Sequence, residues 1–220
     1  GRVPVFDYSA DGVRRSYADS LDRLGLDAVE ILHIHDPDDH FRAAIGQARP
    51  ALAELRAQGR IGAVSAGMNQ SAMLTEFART GDFDCFLLAG RYTLLDQSGL
   101  ADLLPECVAR GISVIAGGVY NSGLLADPRP GITYDYAPAP AHLIARAQAI
   151  GEVCTRHGVP LRAAALQFPL GHPAVASVLI GMRSPAEVAD AAAMSTVDIP
   201  GQLWRDLVSA GLLPEGVPTP

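Results

Sequence analysis

Short aliphatic runs alternate with longer segments of helical periodicity along almost the whole chain, and this alternation restricts the possible folds more than any other feature. Mostly apolar residues form five strand candidates, which are residues 29–35, 61–66, 85–89, 112–116 and 176–180. Strands that are apolar on both faces are typical of a parallel sheet covered by helices. The sequence therefore predicts the α/β class with a parallel sheet.

The segments between the strand candidates carry apolar residues at spacings of three and four, which predicts amphipathic helices. In the first of them Tyr17, Leu21 and Leu24 recur in this way. Asp11 is the expected N-cap of this helix and Gly25 its expected end. The predicted helices are residues 12–24, 48–58, 71–80, 100–110, 141–156, 161–170, 185–193 and 201–210.

The spacing of these units favours a (β/α)8 TIM barrel, with only about five of its eight strand–helix units in this chain. A complete barrel has eight units and about 250 residues, whereas this chain has 220 residues and five strand candidates. Either the first units are absent or the fold is a different open sheet. Residues 127–140, rich in Pro and Gly, are expected to form a loop over the barrel mouth, so that residues 1–220 form one domain.

The composition of the chain excludes several classes of partner and of catalytic site. The net charge of −7 argues against nucleic acid or an anionic membrane as a partner. Three separated cysteines and the lack of a long apolar run predict a soluble, cytoplasmic protein. All 17 basic residues are arginine, which excludes a Schiff-base lysine, a Walker lysine and a carbamylated-lysine metal bridge for this chain.

The densest polar cluster follows the first strand candidate, at residues 33–40. His33 and His35 are two positions apart and therefore share a face of the strand. Because barrel active sites lie at the C-terminal strand ends, His35 is a functional candidate, while His33 is either functional or a core residue with both nitrogens satisfied. A His-x-His pair is also similar to the first ligand pair of metal-dependent amidohydrolases, which need further ligands and often a lysine.

Two later strand ends suit an anion. The fourth candidate runs into a loop of Gly, Asn and Ser at residues 117–125, where backbone amides could reach a pyrophosphate, although a simple tight turn has the same composition. The fifth runs into Gly181 and then Arg183, beside the start of a helix, which is a favourable place for a phosphate. Phosphate sites in barrels commonly lie at these late strand ends.

Several collinear segments resemble the aldo-keto reductases. They are Ser16–Asp27 running into Ile31–Pro37, then Gly118–Leu125, and Gly181–Pro185. Phe6–Ser9, His35–Asp38, Gly67–Gln70 and Gly90–Leu95 are most similar to the aldose 1-dehydrogenase branch, which includes L-fucose, D-threo-aldose and pyridoxal 4-dehydrogenases.

The resemblance implies an eight-stranded barrel that binds extended NAD or NADP across its C-terminal rim. The catalytic set of the family is a Tyr acid/base, a Lys, an Asp and a His, and only the His maps onto this chain, at His35. The other three would lie on strands before Gly1, so the five strand candidates would be the fourth to the eighth. The 220-residue chain alone is therefore expected to be inactive.

The remaining site residues are also implied by the resemblance. Asn69 would contact the nicotinamide amide, with Gly67 or Met68 as the alternative lining of the ring. Asp36, His40 and the loop of residues 127–140 would contact substrate. The residues expected to hold the pyrophosphate and the adenosine end are Gly118, Tyr120, Asn121, Gly123, Gly181, Arg183 and Glu187.

These features predict an NAD(P)-dependent oxidoreductase that acts on a small sugar or aldehyde, oxidising an aldose at C1 to the lactone. Two alternatives remain open at this point. One is a non-catalytic, degenerate barrel that binds ligands or acts as a scaffold, and the other is the metal-dependent amidohydrolase that would use His33 and His35.

Overall fold

The computed structural model describes residues 5–220, and its elements alternate as the sequence predicts. The strands are β1 (Val29–His35), β2 (Ile61–Met68), β3 (Cys85–Ala89), β4 (Ser113–Gly117), β5 (Thr133–Tyr134), β6 (Ala137–Pro138) and β7 (Val175–Leu179). The α-helices are α1 (Ala10–Leu24), α2 (Phe41–Ala43), α3 (Arg49–Ala57), α4 (Ser71–Thr80), α5 (Leu103–Arg110), α6 (Ala141–Arg156), α7 (Leu161–Gln167), α8 (Pro185–Ser195) and α9 (Gly201–Ser209). A π-helical turn, Ala44–Ala48, joins α2 to α3, and 3₁₀ helices span Ser98–Leu100 and Phe168–Gly171. None of the helices described is long and apolar enough to cross a membrane.

The five main strands form one parallel sheet in the order β1-β2-β3-β4-β7, which confirms the predicted α/β class. His35 pairs with Gly67, and Ala89 pairs with Gly117, which in turn pairs with Leu179. This register brings the C-terminal ends of all five strands to one edge of the sheet. Within residues 5–220, β1 and β7 are the outer strands and do not pair with each other.

Aromatic and aliphatic side chains between the sheet and its helices form the core. The ring centroid of Phe83 lies 5.4 Å from that of Phe77 on α4 and 5.2 Å from that of Phe86 on β3. On β1, Ile34 is buried in this core. Because side chains alternate along a strand, His33 and His35 point to the opposite face of the sheet.

Two local features differ from the sequence predictions. The N-cap of α1 is Ser9, whose hydroxyl accepts a hydrogen bond from the Gly12 amide, and not Asp11, which lies in the first turn. Gly25 does end this helix in a left-handed conformation. The segment 127–140 is not only a loop, because β5 and β6 form an antiparallel hairpin within it.

The C-terminal segment packs closely against the 3₁₀ helix that ends at Gly171. A β-carbon on Gly171 would overlap the backbone of Thr219 and Pro220. We therefore expect Gly171→Ala to lower the free energy of unfolding by about 1–3 kcal/mol, because backbone must move to relieve the overlap. Gly46→Ala is the matched control, since no atom lies within 4 Å of its added β-carbon. Chemical denaturation of both variants checks this, and equal stabilities would contradict it.

Candidate functional site

A depression of about 450 Å³ lies at the C-terminal ends of β1, β2 and β3, and we call it the histidine depression. Its lining residues are His33, His35, Asp36, Asp38, Gly67, Met68, Asn69, Gln70, Leu87, Ala89 and Tyr136. It thus brings together four of the predicted site residues, His35, Asp36, Gly67 and Asn69. His40 is not among the lining residues, because its ring packs against those of Phe6 and Tyr8 instead.

His35 stands at the end of β1 with its side chain 81% exposed, and its Nε2 lies 3.5 Å from an Asp36 carboxylate oxygen. The hydroxyl of Tyr8 lies 2.7 Å from the carbonyl oxygen of His35 and 2.9 Å from that of Asp36. Tyr8 therefore anchors the backbone at the end of β1, while the imidazole of His35 remains exposed. Tyr8 was not predicted as a site residue, although it lies in a segment that carries the family resemblance.

His33 lies two residues before His35 on β1 and lines the same depression. Its Nδ1 is buried without a hydrogen-bond partner among the residues described, which does not match the alternative of a core histidine with both nitrogens satisfied. Burial lowers the pKa of His33 below its usual value, and the neighbouring His35 lowers it further. His33 is therefore a neutral imidazole at neutral pH.

A second concavity, of about 490 Å³, lies at the ends of β4 and β7, and we call it the glycine groove. Its lining includes all seven residues predicted for the pyrophosphate and adenosine positions, namely Gly118, Tyr120, Asn121, Gly123, Gly181, Arg183 and Glu187. Cavities of this volume are within the range that small-molecule and cofactor sites occupy.

The loop that forms one wall of the groove has an unusual backbone. Asn121, Ser122 and Gly123 have successive positive φ values of 44°, 57° and 93°. The amides of Asn121 and Gly123 donate to carbonyls within the loop, so they are not free to bind an anion. The amides of Gly118 and Tyr120 have no hydrogen-bond acceptor among the described residues. These two amides could therefore donate hydrogen bonds to a pyrophosphate.

Gly118 is required by the geometry of this loop. Its φ is +63°, and a β-carbon there would lie 3.1 Å from the Gly90 amide nitrogen. The side chain of Asn121 also reaches Gly90, with Nδ2 3.4 Å from its carbonyl oxygen, while Asn121 Oδ1 is buried without a partner in the described chain. Gly90 directly follows Ala89, which lines the histidine depression, so this contact links the end of β3 to the loop of the glycine groove.

Charged side chains surround the far end of the glycine groove. Ser184 caps α8, and the Glu187 carboxylate accepts a hydrogen bond of 2.7 Å from the Arg183 amide. Arg162 donates to Asp190 at 2.7 Å, and these two groove residues were not predicted from the sequence. Burial raises the pKa of Tyr120, and Asp190 raises it further. The far end of the groove therefore carries two guanidinium groups, each of which pairs with a carboxylate.

The arrangement supports neither a metal site nor an acid/base role for Tyr92. Residues 5–220 contain no group of three or more His, Cys, Asp or Glu side chains placed to hold a metal ion. Tyr92 is buried, donates to the Pro218 carbonyl oxygen at 3.2 Å, and has a pKa raised far above its ordinary value by burial. Tyr92 therefore does not supply the acid/base that carbonyl chemistry needs.

Comparison with characterised proteins agrees with the predicted resemblance. The chain is 43% identical to pyridoxal 4-dehydrogenase of Microbacterium luteolum and 40% identical to D-threo-aldose 1-dehydrogenase of a Pseudomonas species. Each match covers 95% of this chain and 64% of the relative. The chain therefore spans just under two thirds of the length of these curated relatives.

Solved structures share the fold at lower identity. The holo form of an aldo-keto reductase from Bacillus halodurans superposes with a TM-score of 0.74 at 22% identity, covering 96% of this chain and 70% of that one. A glycerol dehydrogenase from Gluconobacter oxydans gives a TM-score of 0.73 at 19% identity, covering 98% and 68%. These neighbours confirm the TIM-barrel fold class. Residues 2–210 match the profile of the aldo/keto reductase family, and the chain belongs to that family.

Proposed function

We propose that this chain forms the cofactor-binding rim and the carbonyl-orienting part of an NAD(P)-dependent oxidoreductase that oxidises an aldose at C1 to the lactone. Residues 1–220 would be one barrel domain in this assignment. One observation carries the proposal: the histidine depression and the glycine groove lie at the C-terminal ends of neighbouring strands of one sheet, and Gly90, which follows Ala89 of the depression, contacts Asn121 of the groove. The 40% identity to a D-threo-aldose 1-dehydrogenase supports an aldose as substrate.

The glycine groove fits a dinucleotide in three respects. The amides of Gly118 and Tyr120 suit a pyrophosphate, and Arg183 beside the N-terminus of α8 suits a phosphate or ribose. Asn121 Oδ1 and Arg162 Nε are buried polar atoms without a partner in the described chain, which a bound ligand would supply. NAD and NADP both agree with this set of groups.

The residues of the histidine depression would orient the substrate. The bound nicotinamide supplies the hydride acceptor, and Asn69 at the end of β2 would contact its amide group. His35 would donate a hydrogen bond to the oxygen on the reacting carbon, which fixes the C–H bond toward the nicotinamide ring. Asp36 would accept hydrogen bonds from sugar hydroxyls. The proton would leave to an acid/base group that this chain does not contain.

Dinucleotide binding tests the first part of this proposal. We expect Gly118→Ala to weaken NAD and NADP binding about tenfold or more, because both the positive φ and the contact with Gly90 force the loop to change. Gly211→Ala is the matched control, since its φ of +67° imposes a similar strain with nothing within 4 Å. Fluorescence titration of both variants gives the dissociation constants. Equal affinities in the two variants, or no dinucleotide binding by the unchanged protein, would contradict the assignment of the groove.

A further inference from the structure

The hairpin β5–β6 places a tyrosine where the backbone favours glycine. Its two turn residues, Asp135 and Tyr136, have φ values of 48° and 64°. Two successive left-handed residues make a type I′ turn, whose second position is usually glycine. A bulky residue there is strained. Such strain persists where the surrounding structure or the function requires that side chain.

Packing within the described chain does not account for Tyr136. Its side chain is 99% exposed, so it contributes almost nothing to the core or to the hairpin. The same residue nevertheless lines the histidine depression, together with His35 and Gly67. A large aromatic side chain is therefore held at the rim of the candidate active site without any apolar neighbour that covers it.

An ion pair holds the turn in this position. The guanidinium of Arg91, which follows β3, donates to both carboxylate oxygens of Asp135, at 3.3 and 2.7 Å. The side chain of Arg91 is only 20% exposed and also lies 3.6 Å from Asp96, which accepts a hydrogen bond from Tyr134. Bidentate pairs of this kind define orientation as well as distance. The turn is therefore attached to the end of the strand whose Ala89 lines the depression.

We propose that Tyr136 contacts the substrate and determines specificity, by stacking its ring on the face of a six-membered substrate ring. The Arg91–Asp135 pair positions it. This inference rests on the proposed function of the histidine depression. The depression has apolar side chains in Leu87 and Ala89 and carboxylates at its rim, which suits a flat ring that carries polar groups, either a pyranose or an aromatic aldehyde. Aromatic side chains bind such faces because they bury apolar area with few rotatable bonds.

The test replaces Tyr136 in an active protein that contains this chain and compares substrates of different shape. We expect Tyr136→Gly to raise KM for L-fucose or for a pyridine aldehyde about three- to tenfold. Glyceraldehyde is too short to cover the ring or to form a lactone, so it is assayed as reduction by NADH or NADPH, and its KM is expected to stay unchanged. The melting temperature is expected to stay equal or rise, because glycine relieves the strained φ. Tyr136→Phe keeps the ring face and is expected to resemble the unchanged protein.

The positioning role has its own variant and control. Arg91→Met removes the pair with Asp135 and is expected to raise KM for the same ring substrate by a similar factor, with kcat and the dinucleotide dissociation constant unchanged. Arg129→Met removes an exposed ion pair with Asp127 in the same connection, and is expected to change none of these values.

Three results would overturn the inference about Tyr136. They are an unchanged KM for ring substrates in Tyr136→Gly, an equal rise for glyceraldehyde, and a Tyr136→Phe variant as poor as Tyr136→Gly. The two substrate arms distinguish a sugar from an aromatic aldehyde. If the unchanged protein turned over no carbonyl substrate and bound no dinucleotide, the proposed function itself would fail, and the inference with it.

Discussion

In an active protein that contains this chain, His35→Ala is expected to lower kcat/KM for aldose oxidation by about 10²- to 10³-fold, the loss seen when a positioned hydrogen-bond donor is removed from a reacting oxygen. The free energy of unfolding is expected to change by no more than about 0.5 kcal/mol, because the side chain is 81% exposed. Steady-state kinetics and chemical denaturation of the same preparation measure the two effects. Dinucleotide affinity is expected to remain, since the glycine groove does not include His35.

The contrast with other histidines makes this result specific. His142 is an exposed residue on α6 that lines neither concavity, so His142→Ala is expected to retain full activity. His40→Ala tests the predicted substrate contact at that position, and the packing of His40 on Phe6 and Tyr8 leads us to expect a small effect. A His35→Ala variant as active as His142→Ala would refute the role of His35.

The sheet could be predicted from the sequence because its strands have a strong local signal. β1 and β3 have the predicted ends, and the other three main strands shift by one or two residues. The position of His35 and of the glycine loop followed from this, because parallel strands bring their C-terminal ends to one edge. The groove thus contains every residue predicted for the pyrophosphate and adenosine positions.

The residues that the sequence could not indicate are those placed by tertiary packing. Arg162 and Asp190 meet at the groove from different helices, and no spacing in the sequence relates them. Tyr136 reaches the depression only because a hairpin folds within a segment rich in Pro and Gly and pairs with Arg91. The sequence indicated only the segment as a whole, residues 127–140, which was predicted to lie over the barrel mouth and to contact substrate.

The second large effect is the loss of catalytic activity expected for the 220-residue chain by itself. We expect it to bind NAD or NADP through the glycine groove but to show no NAD(P)-dependent oxidation of L-fucose or another aldose. A missing general acid/base lowers rates by about 10²- to 10⁴-fold, and the missing neighbouring cation lowers them further because an unassisted phenol has a pKa near 10. All 17 basic residues are arginine, and Arg does not reproduce the role of a lysine beside such a tyrosine.

Two measurements on this chain distinguish a loss of catalytic activity from a failure to fold. Fluorescence titration is expected to show dinucleotide binding that Gly118→Ala weakens, which demonstrates a formed groove. Absorbance of the reduced nicotinamide is expected to stay constant with aldose present. Turnover that disappears in the His35→Ala variant would contradict the prediction, because it would mean that residues within this chain move the proton. The candidates would then be the buried, neutral His33 and the exposed Tyr136, the only imidazole and phenol groups that line the histidine depression besides His35 in the described chain.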